Sequence, residues 1–204
     1  MTKILGLTGG IASGKTTISN YFRSLNIPLI DADFVARDVV RAGQPVVTEI
    51  AESFGSEVLL ADGEINRVEL GRLVFESAEK RKILDDIVQP QIRSAIRKEI
   101  ANYLKDDPLL IVLDLPLLYE HGYESNVDAV MVVYVDTETQ KDRLLNRNKD
   151  LSEKDAMNRI NSQLPLSEKA KRADVVIDNN GSIEASLKQV KEWLQTSFGD
   201  ELFK

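Results

Sequence analysis

Residues 9–16 read Gly9, Gly10, Ile11, Ala12, Ser13, Gly14, Lys15 and Thr16, which satisfies the spacing G-x-x-x-x-G-K-[ST] of a P-loop. Each residue type has a physical reason to stand there. The glycines let the backbone curl so that its N–H groups converge on phosphate oxygens. A helix starting directly afterwards, through Lys15, Thr16 and Thr17, adds its own unpaired N–H groups and dipole. Lys15 brings a point charge to the β- and γ-phosphates. The Thr16 hydroxyl is an oxygen donor of the kind Mg²⁺ accepts while keeping several waters. The expected ligands are therefore the phosphates of a nucleotide and Mg²⁺. A dinucleotide fingerprint fails, because Ile11 stands where its second glycine would be.

A phosphate-binding loop does not name a reaction. A GTPase would carry D-x-x-G and N-K-x-D, but Asp114-Leu115-Pro116-Leu117 lacks the glycine, and Asn148-Lys149-Asp150-Leu151 has leucine at the last position. A small-molecule kinase needs a group that orients a hydroxyl and cations over the phosphates. Asp31 and Asp33 follow a short apolar run, and a carboxylate there can accept the hydroxyl proton or hold metal-bound water, while either one could instead cap the helix that follows. Residues 141–172 hold nine basic and five acidic side chains, a local balance of +4. Arginines in a mobile lid commonly cover the charge that phosphoryl transfer spreads over its equatorial oxygens, and Arg147 is the chosen candidate.

Composition narrows the alternatives. The 204 residues carry 26 Lys+Arg against 33 Asp+Glu, a net charge of −7, which disfavours broad nucleic-acid or membrane-surface binding. With no cysteine, thiol nucleophiles, disulfides and Cys-zinc sites are excluded, and His121 as the sole histidine excludes a multi-His metal site. No apolar stretch approaches the roughly 20 residues that span a bilayer, and residues 1–8 do not read as a signal peptide. The expectation is a cytoplasmic enzyme acting on a small molecule, without nucleic acid, membrane or an obligate protein partner.

The site residues need a frame. Apolar runs at residues 4–8, 27–30, 109–113, 129–135 and 175–177 are continuous rather than alternating, as in strands buried on both faces. Helical patterns separate them, which implies right-handed βαβ units and a parallel sheet. Four of the runs end in aspartate, at the carboxyl ends where open α/β sheets place their ligands. The expected fold is α/β: a single P-loop NTPase domain over residues 1–204, with a five-stranded parallel sheet flanked by helices. Residues 34–105 read as a helical insertion, residues 141–172 as a lid, and residues 182–198 as a final amphipathic helix. On residues alone, a kinase for another nucleoside, nucleotide or metabolite remains an alternative, as does an ATP-binding regulatory module.

Beyond the P-loop, an ordered set of short motifs resembles the dephospho-CoA kinase family. It comprises Leu7-Thr8-Gly9-Gly10-Ile11; Asp31-Ala32-Asp33 with Ala36-Arg37; Asp62-Gly63 before Asn66-Arg67; Pro116-Leu117-Leu118-Tyr119-Glu120; Gln140, Arg143, Arg147 and Gln163; and Ala173-Asp174 with Ile177-Asp178-Asn179. The resemblance implies that ATP phosphorylates the ribose 3′-hydroxyl of dephospho-CoA, giving CoA and ADP, the last step of CoA formation. It implies that the insertion binds CoA, that Thr8, Asp33 and Arg37 lie near the acceptor, and that Pro116, Leu117, Leu118 and Glu120 line its pocket. It also implies that Arg147 belongs to the lid and that Asn179 lies near the adenine. One position departs: the family's His-Pro-x-Ile becomes Gln89-Pro90-Gln91-Ile92. Gln89 is expected on the substrate side, where it can donate and accept hydrogen bonds but cannot become cationic near neutral pH.

Overall fold

A computed structural model describes residues 1–199 and residue 202, with Glu76 described by its backbone alone. The elements run β1 (Lys3–Gly9), α1 (Lys15–Ser24), β2 (Leu29–Asp31), α2 (Ala32–Val39), α3 (Pro45–Phe54), α4 (Arg67–Glu76), α5 (Ala78–Tyr103), β3 (Leu110–Asp114), β4 (Ala129–Tyr134), α6 (Thr137–Arg147), α7 (Glu153–Asn161), α8 (Leu166–Arg172), β5 (Val175–Asp178) and α9 (Ile183–Phe198). The strands form one sheet in the order β2-β3-β1-β4-β5. β1 pairs in parallel with β3 and β4, and β4 pairs in parallel with β5. The first strand in sequence is thus central in space, and its carboxyl end opens beside those of β3 and β4.

The chain forms two compact units, Met1–Ile30 with Tyr103–Lys204, and Asp31–Asn102. In the first, strand alternation sends Leu5, Leu7, Leu110, Val112, Met131, Val133 and Ile177 into one core, where they meet Ile18 and Phe22 of α1 and Val190 and Leu194 of α9. The apolar positions of α1 and α9 recur at three- and four-residue spacing, which puts them on one helical stripe. Burying each such side chain contributes roughly 1.5–3 kcal/mol. In alternation with these, Gly6 leaves space for Leu118: a Cβ built on Gly6 would stand 2.5 Å from Leu118 Cδ1.

The second unit is helical and has its own core of Val46, Val47, Ile50, Val58, Ile65 and Leu70. Within it only an isolated antiparallel bridge, Leu59 to Ile65, interrupts the helices and turns among the described residues. Its limits lie three residues earlier at each end than the sequence reading of 34–105. The cause at the start is local. Asp31 both closes β2 and caps α2, accepting from the backbone N–H of Asp33 at 3.0 Å and of Phe34 at 3.1 Å, so strand passes to helix without a linker. α5 is 26 residues long and contains Pro90. A proline there removes one ladder donor, the partner of the Asp86 carbonyl four residues earlier, and Asp86 is exposed, where water can serve that carbonyl. None of the described helices is long and apolar enough to cross a membrane.

Candidate active site

The loop between β1 and α1 is held from outside by side chains that arrive late in the sequence. It closes on itself through Ser13 N–H to the Gly10 carbonyl at 3.1 Å. Ala12 and Gly14 take left-handed conformations, φ 59° and 88°. Gly14 is required twice over, because a Cβ there would also strike the Asn179 amide. Both backbone groups of Ile11 are occupied: its N–H donates to Gln163 Oε1 and its carbonyl accepts from Gln140 Nε2, each at 2.8 Å. Asn179 Nδ2 donates to the Ser13 carbonyl at 2.7 Å, while Asn179 Oδ1 accepts from Ser186 at 2.7 Å. Arg143 in turn donates to the Asn179 carbonyl at 2.8 Å.

What the loop leaves open is donors. No side chain caps α1; Thr17 N–H closes back on the Gly14 carbonyl at 3.0 Å, and the Lys15 and Thr16 amides before it lie too early in the helix for an intrahelical acceptor, where an anion would bind. Ser13 Oγ is buried without a hydrogen-bond partner, a group whose cost is removed when an acceptor arrives. A Cβ on Gly9 would lie 2.5 Å from that oxygen, and one on Gly10 would lie 2.7 Å from Gln140 Nε2. The glycines therefore keep space that any other residue would fill.

Lys15 opens α1 and pairs with Asp114, the last residue of β3. Asp114 also accepts from Ser19 Oγ at 2.5 Å, one turn further along α1. The Lys15 and Asp114 side chains are 15% and 6% exposed, so this ion pair is poorly screened and fixes the ammonium at the loop mouth. Thr16 is exposed and Thr17 half-buried in the first turn. Asp114 was not among the residues singled out for the site from sequence, although its place at a strand's carboxyl end was the available signal.

The first unit carries a second polar knot beside the loop. Thr8, fully buried, donates to the Pro116 carbonyl at 3.1 Å. Lys169 of α8, also fully buried, reaches Glu120 Oε1 at 2.8 Å, the Pro116 carbonyl at 3.1 Å and the Gly9 carbonyl at 3.4 Å. Glu120 is open mainly through its backbone, its side chain being 20% exposed, and the same Oε1 accepts from Leu164 N–H at 2.9 Å. Pro116 and Leu117 are half-buried, whereas Leu118, expected at the acceptor pocket, is 0% exposed and packs over Gly6. With no exposed surface Leu118 supports its neighbours from inside the core; it does not present a face to a ligand.

The sequence model of the dephospho-CoA kinase family matches residues 3–185. A dephospho-CoA kinase of Enterococcus faecalis is 45% identical over 199 residues, covering 98% of this chain and 99% of that one. The chain belongs to the dephospho-CoA kinase family. A second dephospho-CoA kinase, of Bacillus cereus, is 50% identical over 191 residues, 94% of this chain and 95% of the relative. The solved structure of a dephospho-CoA kinase from Campylobacter jejuni matches with a TM-score of 0.74 at 29% identity, covering 98% of this chain and all of that one.

The remaining family positions lie on helices. In the helical unit Asp33 and Arg37 are both exposed and stand one turn apart on α2, on the same face. Gln89 lies half-buried on α5 beside a cavity of about 390 Å³ whose lining includes Asp85, Arg93 and Arg97. Arg147 is exposed in the last turn of α6. α6 is started by Asp136, whose carboxylate accepts from Thr139 N–H at 2.7 Å; that bond holds its pKa below the usual range. α6 and α7 are tied by Lys141 to Glu153 at 2.8 Å, which raises the lysine pKa and lowers that of the glutamate. Gln140, Gln163 and Lys169 had no assigned role from sequence. The first two stand among the family motifs, but their targets are main-chain atoms of Ile11, which no residue type announces.

Proposed function

We propose that this enzyme transfers the γ-phosphoryl group of ATP to the 3′-hydroxyl of the ribose of dephospho-CoA, giving CoA and ADP. The observation that carries the reading is a complete P-loop, with Lys15 held at its mouth by Asp114, in a chain that matches the family over residues 3–185. The open amides at the start of α1 and the Ser13 hydroxyl bind phosphate oxygens. Lys15 exchanges its carboxylate partner for the transferring phosphate, and the charge is worth most where it develops in the transition state.

Asp33 accepts a hydrogen bond from the 3′-hydroxyl and directs an oxygen lone pair at the γ-phosphorus. The new O–P bond forms as the bond to the β–γ bridging oxygen breaks, the electron pair leaves with ADP, and the hydroxyl proton passes to Asp33. In a loose transition state the oxygen needs orientation more than early deprotonation. Arg147 supplies lid charge over the equatorial oxygens, Arg37 and Gln89 serve the acceptor with Pro116, Leu117 and Glu120, Thr8 braces that segment from inside through the Pro116 carbonyl, and Asn179 backs the adenine end. The Asp31–Asn102 unit is the CoA-binding part, and residues 141–172 are the lid.

The donors fit Mg²⁺. The Thr16 hydroxyl is exposed in the first turn, and Asp114 offers a carboxylate that can hold a metal-bound water. No group of three His, Cys, Asp or Glu suited to a metal occurs among the described residues, so Thr16 and Asp114 are the chain's own donors for an ion that keeps several waters. When bound there, the ion would supply positive charge against the nucleotide phosphates. The cysteine-free, acidic composition supports a cytoplasmic location.

The test is ADP release with dephospho-CoA, adenosine, AMP and CoA in parallel, with product identified. Release is expected with dephospho-CoA alone, because CoA already carries the 3′-phosphate. Equal or faster release with adenosine or AMP would overturn the assignment.

A further inference from the structure

Among the described residues of the P-loop unit, Lys169 is a fully buried lysine that the reaction above does not use. A lysine ammonium has three protons and no acceptor. Lys169 directs them at three acceptors on two segments that converge only in the folded chain: the Gly9 carbonyl, where β1 enters the P-loop, and the Pro116 carbonyl and Glu120 carboxylate of the stretch after β3. Each acceptor has a further duty. The Pro116 carbonyl also takes the Thr8 hydroxyl, and Glu120 Oε1 also takes Leu164 N–H. Leu164 follows Gln163, whose side chain accepts from Ile11 N–H within the P-loop. The segment between α7 and α8 is thus gripped on both sides, by the loop through Gln163 and by Glu120 through Leu164, and Lys169 locks Glu120.

We infer that Lys169, with Glu120 as its counter-charge, is a positioning residue for phosphoryl transfer, registering the α7–α8 segment against the mouth of the P-loop. The inference rests on the proposed reaction. A merely cationic role does not account for the arrangement. The ammonium is neutralised by Glu120, is sealed from solvent, and spends its other two protons on neutral carbonyls. The arrangement fixes geometry: it leaves the far side of the cradle, held by Asn179 and Arg143, untouched. Loss of the pair should therefore loosen residues 9–11 and 163–164 while the amides at the start of α1 keep their shape. The expected signature is a fall in kcat with little change in ATP affinity.

The test compares the parent with Lys169→Met, Glu120→Gln, Lys169→Arg and the double variant Lys169→Met/Glu120→Gln. Each single charge removal leaves an ion without its partner, and Glu120→Gln, which strands the fully buried Lys169 ammonium, is expected to be the least stable. The double variant removes both charges, which keeps the inference testable if a single variant fails to fold. In the folded double variant kcat with dephospho-CoA should fall about 10-fold or more, and the ATP dissociation constant should stay within about threefold. Amide exchange should accelerate at Ile11 and Leu164 but not at residues 14–17. Lys169→Arg keeps the charge but replaces a compact three-way donor with a planar fork, and its kcat should fall as well. A double variant with kcat within threefold of the parent and unchanged exchange at Ile11 and Leu164 would reduce the pair to a packing element. A fully active Lys169→Arg would make charge, not geometry, the operative property and overturn the positioning role. If the parent itself transfers nothing to dephospho-CoA, the reaction fails, while the exchange pattern still decides whether Lys169 registers the segment.

Discussion

Lys15 is held by a carboxylate that must release it when phosphate arrives, and this sets what its removal does. Lys15→Ala takes away the fixed charge on the transferring group and leaves Asp114, 6% exposed, with Ser19 as its remaining side-chain partner among the described residues. Single-turnover transfer should fall by roughly 10³-fold or more, since the interaction is strongest in the transition state; a rate within tenfold of the parent would remove Lys15 from the chemistry. Asp31 and Asp33 separate by the same kind of reasoning. Asp31 spends its carboxylate on the start of α2, so Asp31→Ala should cost about 1 kcal/mol of stability, as for a lost helix cap, seen as a lower denaturant midpoint. Asp33 is exposed in the first turn of α2 and does not serve as its cap. Asp33→Asn should lower kcat by roughly 10²-fold, the usual range for a general base, with ATP binding nearly unchanged. Near-normal single-turnover transfer in Asp33→Asn would end its role as proton acceptor.

At the scale of elements, α6 carries two separable functions. Its buried side, Gln140 and Leu144, faces the P-loop unit, and its last turn presents Arg147 outward. Arg147→Ala should therefore leave the fold intact and reduce kcat more than the KM for dephospho-CoA, with lysine restoring only part because it lacks the bidentate fork. A change confined to that KM would make Arg147 an acceptor-binding residue. The tie between α6 and α7 gives a pH signature. The Glu153 carboxyl is held below its ordinary range by Lys141, so its contribution is complete above that range and is lost as pH falls through the lowered value. Lys141 is raised by Glu153, so its contribution is complete below the ordinary lysine range and is lost as pH rises through the raised value. The pair is intact across neutral pH. Glu153→Gln should melt earlier than the parent at pH 7 and low salt. That difference should close in strong acid, where Glu153 is protonated, and at high salt, because the Glu153 end of the pair is exposed; thermal melts across pH read it directly.

For the whole molecule, what could be read in advance follows the range of the forces involved. The strands were legible because each is a run of consecutive apolar residues, Leu110–Asp114 most plainly, and being buried on both faces leaves a one-dimensional mark. The phosphate loop was legible because its chemistry is contiguous. The start of the helical unit was misplaced by three residues because Asp31 belongs to strand and cap at once, and a carboxylate's choice between capping and catalysis is not written in its neighbours. The braces on the loop were illegible for a deeper reason. Gln140, Gln163 and Asn179 act on main-chain atoms, and Lys169 is a buried cation in a stretch whose other lysines are surface groups, so its burial is decided only when Glu120 and two carbonyls converge on it.

The braces also impose a timetable on synthesis. Ser13 waits for Asn179, 166 residues further along, and Ile11 waits for Gln163, 152 residues further along. At about 5–20 residues per second, a ribosome needs on the order of ten seconds or more between making the loop and making its supports. Throughout that interval the glycine-rich segment lacks its braces, and for the first part of it β1 also lacks its sheet neighbours, β3 and β4. A nascent chain can therefore acquire a grip on ATP only after β5 has been made. Ligand-dependent protection from protease on stalled chains should be absent at residue 172 and present once Asn179 and α9 have cleared the exit tunnel.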